Sequence, residues 1–350
     1  MRCWGGVIEF TELEAGEYTV EAEARDSANN DELIASGSKD IKVEADKTTE
    51  CPFTLIVSNC FVAEDGSIVI NKTKLEKTAL ATVTDTATTI TGSGSNGVFV
   101  DGRTVTLSPY SIGKYEVTQE LFEAVMGENP SSYTSSPEDG EIQEYRPVEQ
   151  VNCYYAVVFC NKLSALVGLE KCYTIESSGS EIDYDSINLY TIKTNSSGWT
   201  VSCDLTKNGY RLPTAAEWEF AARGGNQNAD DWNYTYAGSN NIGDVAWYNE
   251  DGVRNKKTHE VGLKNPNSLG LYDMSGNVFE ICWDFSSPST GNFTDPYGES
   301  GSSYYRLGGG CMETETNLVV TKKGSLSTGE NTLYGDTGFR LARSGFPRAN

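Results

Sequence analysis

The chain is 350 residues long and carries 50 acidic against 27 basic residues, a formal charge of −23. Such a surface repels a phosphate backbone, so nucleic acid is excluded as a partner class. The length suits a domain of roughly 250 residues with a smaller companion. No apolar run approaches the roughly 20 residues of a membrane-spanning helix.

The opening Met1-Arg2-Cys3-Trp4-Gly5-Gly6 lacks the apolar stretch of a signal peptide, which leaves export undecided. Residues 1–60 alternate apolar and polar, as in Tyr18, Val20, Ala22, Ala24 and again Ile41, Val43, Ala45. Gly16-Glu-Tyr18-Thr-Val20 resembles the strand found in bacterial immunoglobulin-like modules, so a small all-β immunoglobulin-like module is expected here. Residues 61–97 are rich in Thr, Ser, Ala and Gly and read as a strand plus linker. Asp101-Gly102, between Val98–Val100 and Thr104–Leu107, predicts a hairpin that opens a second domain over 98–345.

Helix boundaries are written locally. Thr118 caps a helix with Leu121, Phe122 and Val125 on one face and Gly127 at its end. Asn152 caps a second helix that runs through Cys160 and Leu163 to Gly168, and Thr214-Ala-Ala-Glu217 is a capping box with Gly224 as its stop. Past Gly225 periodicity ends, predicting short strands and long ordered loops.

The nine cysteines contain no C-x-x-C pair. On one helix, Cys153 and Cys160 would lie roughly 10 Å apart, too far for a disulfide. Cys172 and Cys203 flank what reads as an inserted hairpin; a bridge and two buried free thiols both remain open there.

Five ordered phrases carry a family resemblance: Tyr110-Ser-Ile-Gly-Lys-Tyr-Glu-Val-Thr-Gln119, Arg146-Pro-Val-Glu-Gln-Val-Asn152, the stretch Gly209–Gly225, Asn267-Ser-Leu-Gly-Leu-Tyr-Asp-Met-Ser-Gly-Asn-Val-Phe-Glu280, and Gly338-Phe-Arg-Leu-Ala-Arg343. They resemble the formylglycine-generating enzyme, or sulfatase-modifying factor, family. The resemblance implies an α+β, C-type lectin-like fold over residues 98–345. The oxidising members hold copper with two cysteines about five residues apart, after a Gly-Gly-Ser-aromatic phrase. Here that phrase reads Gly309-Gly310-Cys311-Met312, and the two cysteine positions align with Thr314 and Val319. A single thiol cannot make a two-thiolate copper site. The one histidine, His259, sits in a loop that resembles the family's Thr-His-Pro-Val-Gly and is read as loop packing. No catalytic residue is assigned.

Asp273, Asn277 and Glu280 form the candidate calcium site, since hard oxygens at that spacing suit the ion and some relatives carry structural calcium there. The alternative is that Asn277 and Glu280 only bond loop amides. No cofactor is required in either case.

The segment from about 306 to 337 departs from the family. Gly308 stands where the family has Arg, and Cys311 where it has Ser; both exchanges follow from one adenine change in an AGN codon. This pattern is similar to the variable proteins of diversity-generating retroelements, and it nominates Gly308, Cys311, Met312, Glu313, Thr314, Thr316, Lys322, Lys323, Ser325, Ser327, Tyr334 and Asp336 as ligand-binding positions. The expectation is a monomeric, non-enzymatic ligand-binding protein at the cell surface or secreted, diversified in this segment, with a protein as ligand. Carbohydrate is disfavoured, because no Trp-Asn-Asp triplet accompanies a Glu-Pro-Asn or Gln-Pro-Asp motif. Two alternatives stand beside it: an undiversified inactive relative, and an oxidase acting on a protein cysteine through Cys282 and Cys311.

Overall fold

The computed structural model describes residues 16–26, 32–43, 60–63, 67–70, 73–252, 257–284, 289–297, 303–327, 333 and 335–345. The chain divides into two compact units, Met1–Cys60 and Phe61–Asn350. In the first, strands β1 (Gly16–Asp26) and β2 (Glu32–Val43) pair antiparallel, Gly16 opposite Val43, with a register shift at Ala24/Arg25. The alternating Tyr18–Ala24 run lies on β1. The rest of the expected immunoglobulin-like module falls outside the described residues, so the structure supports a hairpin there and nothing larger.

The second unit begins earlier than the composition suggested. Strands β3 (Phe61–Val62), β4 (Ile68–Ile70) and β5 (Thr73–Leu75) form one three-stranded sheet. β6 (Leu80–Thr84) and β7 (Thr88–Thr91) then enter the framework itself, burying Val83 and, with no exposure at all, Ile90. The stretch 61–97, which reads from sequence as a strand plus linker, holds several strands, because threonine is β-branched and favours strands once alternate positions are buried.

β8 (Arg103–Leu107) pairs antiparallel with β7, placing Val105 opposite Ile90. Gly102 does take the left-handed backbone of a tight turn, at φ +76°. The expected hairpin with residues 98–100 does not form, however; Val100 makes an isolated parallel bridge to Gly94 instead.

The helices start and stop where their caps say. After β9 (Tyr110–Gly113), the Thr118 side chain accepts from the Leu121 amide to start α1 (Gln119–Met126), and Gly127 ends it at φ +79°. Asn152 accepts from Tyr154 and Tyr155 at the start of α2 (Cys153–Leu166). Each cap contributes about 1 kcal/mol. The two helices meet through stacked Phe122 and Phe159, 5.3 Å between centroids, with Phe339 set edge-on to both.

The inserted hairpin is β10 (Tyr173–Ser177) between β11 (Ser180–Glu181) and β12 (Trp199–Cys203), with α3 (Leu189–Asn195) in the connection. Cys153, Cys160, Cys172 and Cys203 are all free thiols, which settles the open pairing.

The capping box is complete at α4 (Ala215–Ala222), whose Trp218 is wholly buried in the core cluster that also holds Ile90, Val105 and Leu307. After the short α5 (Ile242–Val245) come β13 (Phe279–Cys282), β14 (Gly291–Thr294), β15 (Ser303–Leu307), β16 (Gly324–Ser327), β17 (Thr337–Gly338) and β18 (Ala342–Ser344). They build a four-stranded sheet in the order β16-β15-β13-β17 and complete two three-stranded sheets, β14-β8-β7 and β18-β9-β6. The result is an α+β domain rich in ordered loop.

Candidate functional site

The segment between β15 and β16 leaves the framework through two left-handed glycines, Gly308 at φ +86° and Gly309 at φ +71°. A Cβ on Gly308 would meet the Trp218 ring at 3.2 Å, and one on Gly309 would meet the Asn317 carbonyl at 2.8 Å. Backbone bonds then pin the loop: Cys311 N–H donates to the Asn277 carbonyl at 2.8 Å, and Asn249 N–H to the Glu313 carbonyl at 2.9 Å. Asn249 Nδ2 reaches the Met312 carbonyl at 3.3 Å, and Asn317 Nδ2 the Glu313 carboxylate at 2.6 Å. A 3-10 turn over Glu315–Asn317 follows. Leu318 and Val320 point inward, fully or nearly fully buried, with the Leu318 carbonyl accepting from Ser275 Oγ and the Val320 amide bonded to Thr235.

Between those pins the side chains of Thr314, Glu315 and Thr316 are exposed, and beyond the last of them so are Lys322 and Ser325. The Thr314 and Thr316 hydroxyls lie 3.5 Å apart on the outer side of the turn. An irregular loop with its backbone satisfied and its alternate side chains free is a rigid presenter of variable groups.

Not every nominated position belongs to that surface. Gly308 is buried, and Cys311 retains 1% exposure, its thiol pushed up by burial and then by the Asp336 carboxylate. Asp336 is itself buried and sits 3.6 Å from Arg306. These three are buried in the framework rather than displayed, because departure from a family pattern carries no information about burial. Met312 and Glu313 are half-buried. So is Lys323, whose Nζ donates to the Gly97 carbonyl at 3.1 Å over the Tyr305 ring. Ser327 lies on β16 with its side chain outside the described residues, and Tyr334 is wholly outside them.

The structure adds neighbours that the sequence did not nominate. Tyr133 donates its hydroxyl to the Met312 sulfur at 3.7 Å. The Tyr133 and Ser132 amides both bond one oxygen of buried Glu149, whose other oxygen has no partner. Burial pushes that carboxyl up to about 7 despite the two amide bonds. Tyr236 and Tyr248 pack with Leu318 and Val319 beside the loop. Glu149 sits in a recognisable phrase, but nothing periodic marks the tyrosines.

Of the candidate calcium ligands, Asn277 and Glu280 are hydrogen-bonded within the protein, while buried Asp273 keeps one oxygen without a partner. Glu280 is fully buried, accepting from Arg340 through both oxygens and from Trp218 Nε1, each at 2.7 Å. Asn277 Oδ1 accepts from the His259 amide and its Nδ2 donates to Glu116, while one Asp273 oxygen accepts from the Gly262 amide. Among the described residues no group of three or more His, Cys, Asp or Glu is placed to hold a metal. The cluster is a polar staple: Arg340 also bonds the carbonyls of Gly113 and Tyr272, tying the terminal phrase to β9 and the central loop. His259 is a packing residue, stacked on Trp247 at 3.8 Å and 2.7 Å from Glu141.

The oxidase alternative fares poorly on the same geometry. Thr314 and Val319 occupy the expected cysteine positions, and Cys282 and Cys311 are buried with both thiols pushed up.

The domain is thus an α+β, loop-rich fold of the formylglycine-generating type without that enzyme's paired thiols. A sulfatase-modifying factor enzyme 1-like domain matches residues 70–345, and the chain belongs to that family. The match starts ahead of β6, in agreement with the strands found there. The chain is 37% identical over 259 residues to the chaperone protein LppX of Paenibacillus barcinonensis, covering 69% of this chain and 82% of that one. It is 33% identical over 155 residues to the formylglycine-generating enzyme of Thermomonospora curvata, covering 38% of this chain and 49% of the enzyme. Among solved structures it is similar to Treponema denticola variable protein 1, at 39% identity and TM-score 0.64, over 74% of this chain and 95% of that one.

Proposed function

We propose that this is a non-enzymatic, surface-displayed or secreted protein whose C-terminal segment, diversified by a retroelement, binds a protein ligand. The observation that carries the reading is the division of labour along 308–325. Buried Gly308, Cys311, Leu318 and Val320 hold the backbone, and exposed Thr314, Thr316, Lys322 and Ser325 are free to vary. Exposed changes cost within about ±0.5 kcal/mol, whereas a rigid backbone limits the ordering entropy lost on binding. The likeness to a variable protein and the loss of the paired thiols both support it.

The test is a library randomised at Thr314, Thr316, Lys322 and Ser325, displayed and selected against an arbitrary soluble protein. Most clones are expected to fold and some to bind. Widespread unfolding, or folded clones that never yield a binder, would overturn the reading. In parallel, protein incubated with copper and a cysteine-containing peptide is expected to give no aldehyde.

A further inference from the structure

The turn that carries Tyr133 joins a buried acid to the displayed segment. Glu149, with no exposure at all, accepts the Ser132 and Tyr133 amides on one oxygen, at 2.5 and 2.8 Å, and its own amide donates to Ser131 Oγ at 3.2 Å. Gln150 Nε2 donates to Ser132 Oγ at 3.1 Å, and Gln143 Nε2 to the Tyr133 carbonyl at 2.7 Å. The Tyr133 hydroxyl then reaches Met312 Sδ at 3.7 Å, so one residue links the carboxyl to the displayed segment. The other oxygen of Glu149 is buried and has no donor in the protein. The ionisable groups that face this carboxyl are Asp336, Cys311 and Tyr133, and none is a cation. The backbone places them there: a Cβ on Gly335 would lie 3.5 Å from Gln150 Nε2 and 3.8 Å from Met312 Cε, which sets residues 335–336 alongside 149–150. A carboxylate in that position is desolvated, bonded on one oxygen only and beside a second acid, so the closed site holds the neutral form.

We infer that Glu149 is a proton-operated latch: with its proton on, it seats the Ser131–Tyr133 turn against Met312, and the turn loosens when the proton leaves and water reaches the second oxygen. The sign follows from linkage. The seated site raises the carboxyl above its ordinary value, chiefly by burial, so seating is strongest in acid and is lost as pH rises through the interval that ends near 7. Glu149 and Tyr133 lie outside the variable segment, so the latch stays constant while the displayed side chains change. It stands without the display reading; where that reading holds, a ligand resting on Met312 binds more tightly in mildly acidic solution.

The test is hydrogen exchange and methyl NMR on the full chain, with its methionine methyls labelled, from mildly acidic to mildly alkaline pH. Protection factors, which divide out the base catalysis of exchange itself, should fall at least about tenfold at the Ser132 and Tyr133 amides as pH rises, then level off above about 7. The Met312 methyl signal should move over the same interval. Glu149→Gln keeps the acceptor for both amides and should abolish both changes. Tyr133→Phe leaves Glu149 able to titrate but cuts the link to sulfur, so protection should still fall while the Met312 signal holds still. Flat protection in the parent, an undiminished fall in Glu149→Gln, or a Met312 signal that moves equally in Tyr133→Phe overturns the latch.

Discussion

Residues 273–280 and 308–325 are both irregular, both open onto left-handed backbone, and both pack against Trp218, yet they are held in opposite ways. In the first, side chains do the holding: Asn277 and Glu280 point inward and spend their oxygens on the His259 amide, Trp218 and Arg340, and Asp273 gives one of its two to the Gly262 amide. In the second, the backbone and a few apolar residues do the holding, which frees the intervening side chains. A loop stabilised by its side chains cannot vary; one stabilised by its backbone can.

The largest effect that would break this contrast is at the staple. Glu280→Ala leaves Arg340 buried without its partner and should destabilise by about 3–5 kcal/mol in urea unfolding. Retention of full stability would mean that the staple is not what holds the loop. Gly308→Arg restores the family residue but places a side chain at φ +86° against Trp218, for an expected loss of about 2–4 kcal/mol. A neutral result would return Gly308 to the displayed set.

Glu149 sharpens the comparison through pH. Its folded pKa of about 7 lies above the ordinary carboxylate value, so the folded state favours the protonated form. The linkage sign follows: its burial is tolerated at low pH, and stability falls as pH rises through the interval that ends near 7. Glu149→Gln keeps the acceptor for Ser132 and Tyr133 and should stabilise by about 1–3 kcal/mol at pH 8, with the gap to the parent closing in acid. A gap independent of pH would contradict it. The smallest effects belong to the surface, where alanine at Thr314, Thr316 or Ser325 should shift stability by less than about 0.5 kcal/mol.

What was legible in the sequence was local. Thr118, Asn152 and the Thr214/Glu217 box announced their helices because a cap and the amides it satisfies are at most three residues apart. Strand pairing is a long-range property, so Ile90 opposite Val105 is invisible in a sequence whose residues 61–97 read only as a strand plus linker. The candidate site divided along the same line. Thr314, Thr316, Lys322 and Ser325, nominated by their departure from the family pattern, are exposed, whereas Cys311 and Asp336, nominated the same way, are buried. Tyr236 and Tyr248 went unnoticed because only the fold brings them to the loop.

The most direct test of the central claim is an alignment of codons 306–340 with any near copy beside the gene. The account predicts a copy that differs almost only at adenines, with mismatches falling on Thr314, Thr316, Lys322 and Ser325 and sparing Leu318 and Val320. The absence of a copy, or mismatches spread evenly over buried and exposed codons, would contradict it.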